Sequence, residues 1–180
     1  MTGLDRAAAE AAVVAALAAA RADGLAVSVA VVDERGADLV VVRDDGAAWF
    51  TPGVARAKAA TSAAMRAPTA ALGELRAAYP ELADLVDDQL PHRFTTLPGG
   101  VPLVLGGRHV GAVAVSGAHP DQDVACAEAA ARALAWRPRS PAHPGAIDTC
   151  CRGVCRRSSA NSTRTPGLLC IDHYSESHHK

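Results

Sequence analysis

Two stretches of this sequence, Ala26–Val32 and His109–Ser116, alternate so that neither side is polar. In an extended chain successive side chains point to opposite faces. Val27, Val29 and Val31 therefore share one face, with Ser28, Ala30 and Val32 on the other, and in the later stretch Val113 and Val115 oppose Ala112, Ala114 and Ser116. A sheet built from such strands must be covered on both sides. With three or four helices on one face, the second needs another subunit or a flat apolar ligand, and such an external cover is expected here. The alternative is that helices of the same chain cover both faces.

The other side chains limit what kind of core and surface the chain can have. Two Trp, two Tyr and two Phe are the only aromatics in 180 residues, so the core rests on Ala, Val and Leu. A stacking platform for single-stranded nucleic acid lacks its parts. Lys and Arg number 18 against 19 Asp and Glu, a net charge of −1, which excludes a strongly basic nucleic-acid surface.

The composition changes at a seam near Pro138. Up to Arg137 there are 12 basic and 16 acidic residues; beyond it there are 6 and 3, alanine becomes scarce, and Cys150, Cys151, Cys155 and Cys170 appear with His143, His173, His178 and His179. We expect a folded domain over residues 1–137 and a flexible Cys/His/Ser-rich C-terminal extension over 138–180, whose Ser, Thr and Pro content cannot bury apolar area. Cys150, Cys151, Cys155, Cys170 and His173 also offer zinc-type donors, but no paired C-x2-C spacing supports that reading. Met1–Asp5 has no basic targeting pattern and Ala11–Ala20 is too short to span a bilayer, so the expected location is cytoplasmic, with no membrane partner. Cys126, in an alanine-rich helical pattern, reads as a reduced, buried small residue.

Local signals set out the elements. Thr2 and Asp5 resemble a capping pair for a helix that runs to Asp23-Gly24. Ala26–Val32 and Leu39–Arg43 form a hairpin across Asp33–Gly36. Thr51-Pro52 reads as an N-cap hydroxyl followed by proline at the first helical position, and that helix stops before Pro68. A further helix ends near Tyr79, Pro80 opens a short one to Leu90, and Phe94–Thr96 reads as a brief strand. Val101–Leu105 and His109–Ser116 pair across Gly106-Gly107, and Asp121–Trp136 closes the domain. The fold class is α+β, an antiparallel sheet flanked by helices in the order α-β-β-α-α-β-β-α.

Four segments are more specific than composition requires: Arg43-Asp44-Asp45-Gly46-Ala47, Lys58-Ala59-Ala60-Thr61, Pro98-Gly99-Gly100-Val101-Pro102, and Gly111–Gly117 followed by Asp121-Gln122-Asp123. In this order, after Val31-Val32-Asp33-x-x-Gly36, they resemble the GlcG/HbpS haem-binding (haem-degrading domain) family over about residues 4–136. The resemblance implies a PAS- or profilin-like sheet, homo-oligomers, haem as cofactor, and for some members haem degradation or redox sensing. It settles fold better than function.

The candidate ligand-binding residues are Asp45, Lys58, Thr61, His92, Arg93, Gly99, Gly100, Ser116 and Gln122. Lys58 and Thr61 fall with Val54 and Met65 on one helical stripe. A lysine there needs a partner, either a ligand carboxylate or, the favoured reading, Asp45 or Asp33 within the chain. Gly99-Gly100 brings backbone amides close to an anion or forms a bulge. Ser116 and Gln122 lie where a strand end meets a helix start; they bond a ligand there, or Asp121-Gln122-Asp123 caps the helix. The Arg43-x-Asp45-Gly46 turn reads as structural. For haem iron, His92 is the chosen ligand with Arg93 beside it for a propionate, ahead of His109 and His119, which are expected to be exposed, and of Met65 and Tyr79. The leading function is a small-molecule-binding oligomeric domain that takes haem for sensing or sequestration. The alternatives are an enzyme acting on haem or a small organic acid in the same pocket, for which no nucleophile–base pair is legible, and an assembly module without ligand.

Overall fold

The computed structural model describes residues 3–135, so the readings made for residues 138–180, the zinc donors among them, lie outside the described residues. The first helix, α1 (Arg6–Ala22), begins where the Asp5 side chain accepts a hydrogen bond from the Ala8 amide at 2.7 Å, so Asp5 is itself the N-cap rather than the second member of a pair capped by Thr2, which lies outside the described residues. It ends in the expected glycine stop. Gly24 has φ +69°, the Gly24 amide donates to Arg21 O, and the Leu25 amide reaches back to Ala20 O, which satisfies carbonyls that a helix end otherwise leaves open.

Strands β1 (Ser28–Asp33) and β2 (Asp38–Arg43) form the first hairpin. The Asp33 carboxylate accepts the amides of Arg35 and Ala37 and so shapes its turn. Strands β3 (Gly100–Leu105) and β4 (Arg108–Ser116) form the second, across Gly106 and Gly107, both at positive φ as a tight two-residue turn demands. All neighbours are antiparallel, and the order β2-β1-β4-β3 puts the two apolar strands in the middle.

The helices settle the question of cover. On one face α1 and α5 (Pro120–Ala135) bury Val27, Val29, Val31, Val113 and Val115. On the other, α2 (Thr51–Met65) lays Ala55, Ala59 and Ala63 against Ala30, Val32, Ala112 and Ala114. The expected external cover is therefore overturned: this chain covers both faces of its central strands. The reason is side-chain size. Alanine against alanine lets the α2 backbone approach so closely that a Cβ added at Gly100 would lie 2.6 Å from Lys58 O.

The expected element order holds, with the middle helical segment divided. A 3-10 turn (Thr69–Leu72) leads into α3 (Gly73–Ala78), and Pro80 opens α4 (Pro80–Asp87). Leu72, Ala83 and Phe94 form a small separate core beneath them. Two local readings are corrected. Phe50, not Thr51, is the N-cap residue of α2; the Thr51 hydroxyl instead bonds Ala48 O and Ser28 Oγ, each at 2.7 Å. Phe94–Thr96 is not a strand, because side chains take its backbone amides: Asp87 accepts from Phe94 and Thr61 Oγ1 from Thr95. Among the described residues no helix is long and apolar enough to cross a membrane.

Candidate functional site

The loop after α4 crosses the outer side of α2, where Gly53 and Ala57 are too small to fill the space beneath it. A groove of about 430 Å³ results, lined by Gly53, Ala57, Asp87, Leu90, Pro91, His92 and Arg93. That volume lies within the range of small-molecule sites. Carboxylates hold both of its basic residues. His92 Nε2 lies 3.4 Å from Asp38 Oδ1 at the start of β2, while Asp38 Oδ2 accepts from Arg56 Nε at 2.8 Å. Arg93 Nε lies 3.3 Å from Asp87 Oδ2, with the Arg93 side chain 88% exposed. The groove thus joins an imidazole, an exposed guanidinium and an apolar wall of Leu90, Pro91 and Ala57. Its lining includes no serine, threonine or cysteine beside a base.

Haem asks for three things: a nitrogen donor for iron, a cation for a propionate, and apolar surface for the ring. The donor set of this groove fits all three in kind.

The remaining candidates lie elsewhere. Lys58 is buried, its Nζ donating to Asp123 Oδ2 at 2.8 Å and to Val115 O at 3.0 Å. Its partner is therefore Asp123, not Asp45 or Asp33. Asp45 stands exposed in the turn after β2, and the Asp33 carboxylate serves its own turn. Gly99 and Gly100 close over the Lys58 pair: Gly99 has φ +117°, and a Cβ there would sit 3.0 Å from Lys58 Nζ. The Gly100 amide donates to Thr69 Oγ1, which in turn donates to Leu97 O. Thr61 holds the 94–97 segment through Thr95, and Ser116 is buried opposite Ser28 in the sheet.

At the start of α5 the capping alternative is what forms. Gln122 accepts from the His119 amide at 3.2 Å and Asp123 Oδ1 from the Ala118 amide at 3.1 Å. Asp123 thereby caps the helix with one oxygen and neutralises Lys58 with the other. Asp38, Arg56 and Asp87 were missed by sequence reasoning. Their contacts with the His92 loop are long-range, and no local spacing announces them.

His109 is a correction. Expected to be exposed, it has both ring nitrogens buried without a hydrogen-bond partner among the described residues. Burial lowers its pKa from the ordinary 6.5 and the Arg66 guanidinium adds to this, while the Ala63 carbonyl, near the ring but outside hydrogen-bonding geometry, and Glu34 oppose it. A folded-state value below the unfolded one means that the unfolded chain binds more protons just below pH 6.5. Stability therefore falls as pH drops through that value and levels off below the folded pKa. A His109→Leu variant is expected to lose this part of the acid sensitivity and to gain about 1 kcal/mol at neutral pH, since no buried nitrogen is left unpaired. Urea unfolding of both proteins at about pH 7.5 and about pH 5.5 checks it, parallel pH dependences being the contrary result. His119 is exposed as expected. Cys126 is buried and free, its thiol pushed up by burial and by Asp123 and Asp23, as befits an inert reduced residue.

The family described as haem degrading protein HbpS-like matches residues 4–132. No curated protein matches the chain. Among solved structures, a double mutant of Streptomyces reticuli HbpS is 39% identical, with TM-score 0.67 over 74% of this chain and 88% of that one. The PduOC:heme complex is 26% identical, with TM-score 0.64 over 73% and 95%. The Klebsiella pneumoniae protein ORFY, 24% identical with TM-score 0.69 over 77% and 95%, shares the fold.

Proposed function

The chain belongs to the HbpS-like haem-degrading family, and from that premise we propose that it binds haem in the groove between α2 and the loop after α4. In this reading His92 supplies the iron ligand, Arg93 exchanges Asp87 for a haem propionate, and Leu90, Pro91 and Ala57 face the ring. The observation that carries it is the meeting of His92 and Arg93 with apolar residues in one groove. A solved relative named as a heme complex adds support. Bound haem would supply an iron centre able to change oxidation state or take up small ligands. The protein's own part is to hold the group and set its surroundings, which suits sensing or sequestration better than hydrolysis.

Haemin titration of the full chain, followed in the Soret band, tests this. Saturable one-to-one binding is expected. His92→Ala should weaken it at least about tenfold, and Arg93→Ala roughly fivefold, the loss of one charge-assisted contact at an exposed site. Unsaturable broadening, or binding indifferent to His92, overturns the proposal.

Assembly into homo-oligomers belongs to the same reading. Trp49 and Phe50, 83% and 53% exposed and edge to face at 5.9 Å, are large apolar side chains left open by this chain alone. Light scattering of the purified protein decides the point, a monomer at working concentration being the contrary result.

A further inference from the structure

We propose that the outer face of α4 is a docking surface for a basic amphipathic helix of a partner protein. Helix α4 carries two apolar faces. One, with Ala83 and Val86, packs on Leu72 and Phe94. The other is left open: Tyr79, Leu82 and Leu85 are 62%, 43% and 65% exposed, and with Ala78 and Pro80 they line a second, shallow groove where α3 meets α4. Leu82 and Leu85, three residues apart, are neighbours on the helix surface and form its ridge. Large apolar side chains gathered in the open mark an interaction surface.

The rim of the ridge identifies the chemistry of the partner. Glu81 lies one turn before Leu85 and Asp88 three residues after it, so both flank the ridge, and Asp84 stands one turn before Asp88. Glu81, Asp84 and Asp88 are exposed, and among the described residues the acidic side chain of α4 that has a cationic partner is Asp87, paired with Arg93. The helix has no basic residue of its own. Asp87 and Asp88 stand at its C-terminal end, where the helix dipole favours cations, and Asp84 repels Asp88 at i, i+4. These residues lower the stability of α4 in the free chain, and a partner bearing Lys or Arg reverses that effect. The same charges exclude other occupants. A second copy laid face to face on the ridge would set Glu81, Asp84 and Asp88 against themselves, and an anionic bilayer or a nucleic acid is repelled. A helix with leucines on one face and cations beside them satisfies both parts of the surface: its apolar side chains enter beside Leu82 and Leu85, and its cations meet the rim. The inference does not rest on the haem reading, and its test uses no haemin.

The full chain is titrated into a fluorescein-labelled synthetic amphipathic helix of leucine and lysine, read by anisotropy. Two control peptides run beside it: the same sequence with glutamate for lysine, and a scrambled leucine–lysine peptide without an apolar face. Saturable binding of the first peptide alone is expected. Leu82→Ser with Leu85→Ser should weaken it at least about tenfold. Glu81→Gln with Asp84→Asn and Asp88→Asn should weaken it about tenfold and flatten its salt dependence. These side chains are all exposed, so the variants are expected to fold; circular dichroism and urea unfolding check this, and Leu85→Ser and Asp88→Asn alone replace any combination that does not. No saturable binding, equal binding of either control peptide, or indifference to the ridge variants overturns the inference. So does light scattering in which Leu82→Ser with Leu85→Ser breaks up an oligomer, because a copy of this chain then occupies the ridge.

Discussion

Replacing Lys58 by methionine should cost about 3–5 kcal/mol of stability, the range for breaking a buried ion pair by removing one partner. Both side chains of the Lys58–Asp123 pair are only 4% exposed. Methionine fills much of the lysine stem's volume, so the loss comes from charge and hydrogen bonding rather than from a cavity. Asp123 would be left buried without its cationic partner, and Val115 O would lose its lysine donor. The double variant Lys58→Met, Asp123→Asn should recover most of the loss. It removes the stranded charge, while an amide oxygen at 123 can still accept from the Ala118 amide. Urea unfolding across the full double-mutant cycle checks this. Additive losses from the two single changes would show that the pair is not the coupled unit described here.

The second large effect is expected at Gly111. It lies in β4 between Asp33 of β1 and Leu103 of β3, with φ +148°, a conformation that L side chains rarely adopt. A Cβ added there would overlap the Val32 carbonyl oxygen and press on the Asp33 backbone, neither of which can rotate away. Gly111→Ala should therefore cost about 3 kcal/mol or more, combining backbone strain with overpacking in the sheet centre. By contrast, an added Cβ at Gly106 meets nothing within 4 Å, so Gly106→Ala bears only the positive-φ strain. Thermal unfolding of the two variants side by side gives the comparison; equal losses would mean that steric overlap at Gly111 is relieved by movements the fold does not now show.

Much of the architecture was legible because its signals are local. Asp5 before an alanine-rich helix, Gly24 after it and the glycine pair at 106–107 each act through backbone geometry within a few residues, and the structure uses all of them. The α5 cap was legible for the same reason, with Gln122 and Asp123 reaching back to adjacent amides. Where local reading failed, a distant side chain had intervened. Asp87 and Thr61 bind the amides that would have made Phe94–Thr96 a strand, and Ser28 draws the Thr51 hydroxyl away from a capping position. The candidate site follows the same division. His92 and Arg93 were named from their loop, while the small residues of α2 beneath them and the carboxylates of Asp38 and Asp87 that hold them were not.

Residue order alone dictates α1, the pairing of each hairpin and the need to cover both faces of the central strands, because alternation, caps and turn glycines act over short distances. That α2 covers the second face, that Lys58 joins Asp123 and that His92 stands beside Asp38 are outcomes of long-range packing. These outcomes join residues far apart in the chain. They depend on how closely alanine faces allow whole elements to approach, and a residue pattern read along one strand or one helix does not carry that distance.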